Sequence, residues 1–196
     1  MKKGQRRNEW TTEQVAYLIE NAGRVPKRDL CARLKKSGKA VERMAARLRA
    51  QGQPVELRYF ESRLTFCPAC GSMRATAAEK GICEPCRRRE QLETIQARIS
   101  ELWPFLTQAQ RDKYEETEAE TESRHDPMPK APEIPADASY YRRQRIREDW
   151  AIDCELVLSA NLMREVKAAQ KRKERIEKKV KTNGGLHVPP GQTKEI

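Results

Sequence analysis

The sequence predicts a mainly α-helical protein assembled from several small modules. Three observations predict it: short segments of helical periodicity between Trp10 and Ala50, two C-x2-C pairs between Cys67 and Cys86, and two long stretches of helical periodicity after Glu90. Composition agrees. Of 196 residues 37% are hydrophobic and 35% charged, too polar a mixture for one large core. The formal net charge of +11 and a pI near 9.5 point to a polyanionic partner, nucleic acid before a membrane surface. No apolar run reaches the ~18 residues of a membrane span, and no charged-then-apolar leader opens the chain. The expectation is a cytoplasmic chain that binds no membrane.

The first module is read over residues 10–60. Thr11 and Gln14 have the spacing of a capping box, with Trp10 and Val15 as the hydrophobic staple across it. Val15, Leu18, Ile19 and Ala22 then form an apolar stripe that ends near Asn21 to Gly23. Pro26 suits the first turn of a second helix with Leu30, Cys31 and Leu34 inward. Ser37-Gly38 makes the next turn, and Ser37 caps a third helix whose Val41, Met44, Ala45 and Leu48 face the other two. Gly52-Gln53-Pro54 stops it, and Val55, Leu57 and Tyr59 alternate like a short strand or wing.

The outer face of that third helix carries Lys39, Glu42, Arg43, Arg47 and Arg49, with Lys35, Lys36 and Ser37 in the turn before it. Residues 1–60 hold 15 Lys or Arg against 6 Asp or Glu, an excess that makes this a candidate helix-turn-helix face for duplex DNA. Lys35, Lys36, Ser37, Lys39, Arg43, Arg47 and Arg49 are the candidate DNA contacts. Lys2, Lys3, Arg6 and Arg7, in a basic arm over residues 1–9, are candidate phosphate contacts.

The W-T-x-E-Q opening at Trp10 to Gln14, the turn at Lys35 to Gly38 and the A-V-x-x-M-A-x-x-L run at Ala40 to Leu48 carry a resemblance. The segment resembles tri-helical Myb/SANT-like and related helix-turn-helix domains of phage and bacterial regulators and of some phage terminase small subunits. The resemblance implies DNA binding.

Cys67 and Cys70, then Cys83 and Cys86, form two C-x2-C pairs separated by twelve residues within a module over residues 61–89. Four thiolates suit a tetrahedral Zn(II), and four protein ligands leave no position for water, so the zinc is expected to be structural. The intervening stretch from Gly71 to Gly81 is long enough for a hairpin. Disulfides are disfavoured in a cytoplasmic chain, and a redox C-x2-C does not explain two pairs. The pattern resembles zinc ribbons and treble-clef zinc fingers, and a helix beginning at Cys86 favours the treble clef. Arg87, Arg88 and Arg89 follow the last ligand as candidate phosphate or partner contacts.

Beyond it, Leu92, Ile95, Ile99, Leu102 and Leu106 step by three and four, the seam of a coiled coil or of packing within the chain, over a helical segment 90–124. Pro104 breaks that helix, and Thr107 caps the next. Residues 125–138 hold four prolines and read as an extended linker. An amphipathic basic helix over 139–182 presents Ile146, Trp150, Cys154, Val157 and Met163, broadened by Leu156, Leu158 and Leu162, and leaves as a basic end at Lys171 to Lys181. Residues 183–196 are expected to be a disordered tail.

No phosphate-cradling glycine loop, paired carboxylates or open metal site appears, so no catalytic residue is assigned. The function expected is a DNA-binding regulator of phage or mobile-element type. A packaging protein of terminase-small-subunit type, acting as a homo-oligomer, and a transcription accessory factor binding RNA polymerase or RNA are the alternatives.

Overall fold

A computed structural model of the chain describes residues 9–77 and 81–182. Lys2, Lys3, Arg6, Arg7 and the tail from residue 183 lie outside the described residues. Among the described residues the protein is mainly helical, with six α-helices and one two-stranded sheet. None of these helices is long and apolar enough to cross a membrane. The chain divides into two compact units: one comprises the residues up to Arg63 together with Lys130–Ile152, the other Leu64–Pro129 together with the chain from Asp153.

In the first unit α1 (Thr12–Asn21), α2 (Lys27–Leu34) and α3 (Gly38–Ala50) surround one core. The capping box forms as the sequence predicts: the Thr11 hydroxyl accepts the Gln14 amide and the Gln14 side chain accepts the Thr11 amide, both at 3.2 Å. The same Gln14 side chain donates to the Leu34 carbonyl at 3.1 Å and so ties α1 to the end of α2. Pro26 sits one position earlier than expected, at the N-cap of α2. Ser37 caps α3 by accepting the Ala40 amide at 3.3 Å. Leu18, Leu30 and Val41 are fully buried, and Leu34, Met44, Ala45 and Leu48 complete the core. Burial of each large aliphatic side chain contributes about 2 kcal/mol against the entropy of ordering the chain.

The segment after α3 differs from the expected strand. Val55 is buried and Leu57 packs on the core, but Tyr59 is 44% exposed and no ladder forms. No strand lies beside it among the described residues, so alternation alone gives an extended strap. The Phe60 amide donates to the Gly23 carbonyl at 2.9 Å. Gly23 has φ +79°, and a Cβ there would stand 3.3 Å from the Arg58 carbonyl, so the close approach of strap to turn requires glycine.

The strap is held on its other side by the start of α6 (Tyr140–Thr182). Ser139 caps this helix, accepting the Arg142 amide at 3.2 Å, and donates its hydroxyl proton to Glu56. The guanidinium of Arg24 lies 4.6 Å from the Tyr140 ring centre, that of Arg58 4.7 Å from Tyr141 and that of Arg145 5.0 Å from Phe60. Beneath them Glu148 is 4% exposed, and its carboxylate accepts the Ser62 hydroxyl at 2.9 Å, the Arg63 amide at 2.6 Å, the Arg63 guanidinium at 2.9 Å and the Arg145 guanidinium.

In the second unit β1 (Thr65–Cys67) and β2 (Ser72–Arg74) pair antiparallel, Cys67 opposite Ser72. The hairpin thus spans the first C-x2-C pair, not the stretch between the two pairs. The helix α4 (Glu84–Leu102) begins two residues before Cys86, with Cys83 at its N-cap. Pro104 breaks it into a 3-10 turn (Trp103–Phe105), and α5 (Gln108–Ser123) restarts where the Gln110 side chain accepts the Thr107 amide at 3.1 Å. All five seam residues from Leu92 to Leu106 are buried, against Val166, Ala169, Ile176 and Val180 of α6. The seam is therefore closed within the chain.

Two expectations for the last helix are corrected. Its inward side does not follow Trp150 and Leu156, which are 36% and 60% exposed. Nor does Lys171 to Lys181 leave the packing as a basic end, because Ile176 and Val180 are among the most buried of the described residues. The inward positions Glu155, Leu162, Ala169 and Ile176 recur every seven residues, with Val166 and Val180 four beyond, a spacing that the polar Glu155 disguises. Asn161 clamps the start of the extended linker: its amide accepts the Asp126 N–H at 3.0 Å and donates to the Asp126 carbonyl at 2.9 Å.

Burial alone would raise the Glu148 carboxyl, but the amide and guanidinium of Arg63, the Ser62 hydroxyl and Arg145 outweigh it and hold it at about 2. A carboxylate depressed on folding stabilises fully above its unfolded value near 4.5, and that contribution is lost as pH falls to about 2. Glu148→Gln is expected to lower stability at neutral pH by about 3 kcal/mol and to flatten the acid limb between those values. Urea unfolding followed by tryptophan fluorescence across that range checks this, and an unchanged profile would contradict it.

Candidate metal centre and basic face

The two C-x2-C pairs reach one point from two kinds of local structure. In the first, Cys67 ends β1 and the turn closes with the Gly71 amide on the Cys67 carbonyl at 2.9 Å. Gly71 has φ +66°, the left-handed conformation that such a knuckle demands. In the second, Cys83 and Cys86 occupy the N-cap and first turn of α4, where the helix dipole favours anionic sulfur. The Cys83 amide donates to the Cys67 sulfur at 3.3 Å, joining the pairs before any ion is considered.

The ligand atoms of Cys67, Cys70, Cys83 and Cys86 all lie within 4.8 Å of one another and could hold a metal ion. The Cys70 and Cys83 sulfurs are 3.8 Å apart, about the edge of a tetrahedron with metal–sulfur bonds of roughly 2.3 Å. None of the six cysteines is disulfide-bonded. Cys67 and Cys83 are fully buried, with Ala77 beneath them.

The thiols themselves show the need for a counter-charge. Burial opposes ionisation of Cys70, but the Ser72 amide and the Arg74 guanidinium prevail and hold it at about 6. The Cys83 amide lowers Cys67. Burial, reinforced by the other sulfurs, pushes Cys86 up to about 12, and burial also raises Cys83. Four thiolates this close repel one another, and a bound divalent cation reverses that balance and drives off the remaining protons.

A second layer of hydrogen bonds fixes the scaffold. The Thr76 hydroxyl accepts the Glu84 amide at 2.8 Å and so caps α4 where the Cys83 side chain does not. Thr76 in turn donates its proton to Glu155, a carboxylate 2% exposed that also accepts the amides of Ala75 at 2.7 Å and Thr76 at 3.3 Å. Glu155 and Thr76 were not singled out from the sequence. The signal for Glu155 was its place in the seven-residue repeat of inward positions.

Of the three arginines after the last cysteine, Arg87 and Arg88 both pair with Glu84. Arg88 also donates to the Ser159 hydroxyl at 3.2 Å and to the Met163 sulfur at 2.8 Å, which places it inside the packing. Arg89 is exposed.

In the first unit the seven candidate DNA contacts divide by what they touch. Lys39, Arg43 and Arg47 are exposed on one side of α3 at four-residue spacing, opposite the buried Val41, Met44, Ala45 and Leu48. Ser37 is the cap of that helix, and Lys35 ends α2 in the left-handed conformation, φ 52°. Lys36 donates to the Glu9 carbonyl at 2.7 Å beside the Trp10 ring, and Arg49 donates to the Val55 carbonyl at 3.2 Å. Glu42, on the same helix, is engaged by Lys27 at 2.7 Å.

Comparison with protein-family models, curated proteins and solved structures finds no match.

Removing one thiol by Cys83→Ser is expected to abolish stoichiometric metal retention and lower the melting temperature. Glu155→Ala is expected to retain one metal per chain but to cost about 3 kcal/mol, because it leaves the Ala75 and Thr76 amides buried without an acceptor. Metal content after desalting and thermal unfolding check both. Loss of metal in Glu155→Ala, or retention in Cys83→Ser, would contradict the assignment.

Proposed function

We propose that the protein is a DNA-binding regulator in which α3 meets duplex DNA and the four cysteines hold one structural Zn(II). The observation that carries the first part is the two-sided character of α3: Val41, Met44, Ala45 and Leu48 are buried, while Lys39, Arg43 and Arg47 stand exposed at intervals of four. A four-residue step advances about 6 Å along the axis, so the three cations form a rigid row capped at its start by Ser37. A helix so presented can enter a major groove with its first turn while its cations grip phosphates on either side.

Zinc is favoured among divalent ions by the donor set alone. Four soft sulfurs in a closed, tetrahedral cluster suit it, and oxygen-seeking ions find no ligand there. One pair on a hairpin knuckle and one on a helix N-terminus supports the treble-clef reading of the module. With every coordination position filled by protein, the ion's role is to hold the fold. The tri-helical arrangement of the first unit supports, in the same way, the resemblance to Myb/SANT-like domains of phage and mobile-element regulators.

Fluorescence anisotropy with mixed-sequence and genomic duplexes over a salt series tests the reading. Arg43→Ala combined with Arg47→Ala is expected to weaken binding at least tenfold and to reduce the slope of log affinity against log salt by about two. The melting temperature should be unchanged, because both side chains are exposed. Binding by the double variant equal to that of the wild type would remove α3 as the DNA-contacting helix.

A further inference from the structure

Between α5 and the last turns of α6, within the second unit, lies an open cavity of about 450 Å³. Its wall holds Lys113, Arg175 and Lys179 and, among the described side chains, no carboxylate. Ala109, Gln110, Tyr114 and Thr117 complete the lining.

Lys113, Arg175 and Lys179 make no ion pair among the described residues. The acidic residues nearest in sequence on α6 are engaged elsewhere: Glu174 accepts from Gln170 at 3.0 Å, and Glu177 pairs with Arg98 at 3.8 Å. A carboxylate four residues from a cation on a helix would pair with it. Here the cations follow one another instead. Lys171, Arg175 and Lys179 recur every four residues, and a smaller cavity of about 180 Å³ is lined by Lys171, Arg172 and Arg175 with the same Tyr114 and Thr117, its one carboxylate, Glu120, pairing with Arg124 at 3.6 Å.

We infer that this groove is a binding site for the phosphate groups of a nucleotide unit, taken either free or within a single strand. Arg175 offers a planar fork of N–H donors to phosphate oxygens, and Lys113 and Lys179 add point charges on either side. The Tyr114 ring provides a flat surface on which a base can stack. The volume accommodates one nucleotide, since small-ligand sites occupy about 300–1,000 Å³. The basic turns of α6 are thus folded against α5 by Ile176 and Val180 and present their cations in a fixed array. The site is separate from α3 and does not depend on the DNA reading of that helix.

The test uses full-length, zinc-loaded protein carrying Lys39→Ala, Arg43→Ala and Arg47→Ala, so that α3 contributes no phosphate contacts. Calorimetric titration at low salt with ADP and with a ten-nucleotide single-stranded DNA reads the site. At least one probe is expected to bind, more weakly as salt rises, and to lose at least tenfold in affinity on Lys113→Ala with Arg175→Ala. Both side chains are exposed, and circular dichroism with metal content checks that the fold is kept. If that pair unfolds the protein, Lys179→Glu reads the same site. Binding of ADP alone identifies free nucleotide, and binding of the oligonucleotide alone identifies a strand. Failure of both probes, or equal binding by the variants, would overturn the inference.

Discussion

A buried carboxylate must find hydrogen-bond donors or give up its charge, and the last helix carries two such groups, Glu148 and Glu155, one heptad apart. Each is met by backbone amides of a segment with little regular structure of its own. In the first unit Glu148 receives the Arg63 amide and the Ser62 hydroxyl, at the end of the strap that crosses Gly23. In the second unit Glu155 receives the amides of Ala75 and Thr76, on the loop that leads from the hairpin to the second pair of cysteines. Neither segment could be fixed by apolar burial alone: the strap exposes most of its side chains, and of the described residues in the loop only Ala77 is buried. The helix supplies the acceptors that satisfy the loop backbones and so gives those loops one conformation.

The consequence for the cysteine cluster is direct. A cysteine module of this size has almost no apolar interior, and among its described residues those buried beyond the cysteines come down to Ala77 and Pro85. A metal would tie the two knuckles together, Thr76 caps α4 beside them, and Glu155 holds Thr76. Ion, cap and carboxylate form one chain of support from the sulfurs to the long helix. On this account the metal binding energy appears as folding energy of the hairpin and of the first turn of α4.

What was legible in the sequence follows from how local its cause is. The capping box at Thr11 and Gln14, the Ser37 cap, the apolar positions of the three short helices apart from Ile19, which is 39% exposed, the seam from Leu92 to Leu106 and the break at Pro104 all depend on neighbours within about one turn and appear where expected. The grouping of the four cysteines was legible because the spacing fits one geometry. The strap was misread because strand formation needs a partner edge that no local pattern reports. The inward side of the last helix was misread because two of its positions are glutamates, which periodicity scores as solvent-facing. Their role depends on amides some eighty residues away in sequence. Arg88 was taken for a surface cation for the same reason, since its partners Ser159 and Met163 are distant in the chain.

We propose that the four cysteines close around one zinc that serves the fold. Zinc K-edge X-ray absorption on protein purified without added metal tests it most directly. One zinc per chain is expected, with four sulfur neighbours at about 2.3 Å and no lighter ligand. A nitrogen or oxygen atom in the coordination sphere, or protein that is folded and free of metal, would contradict it.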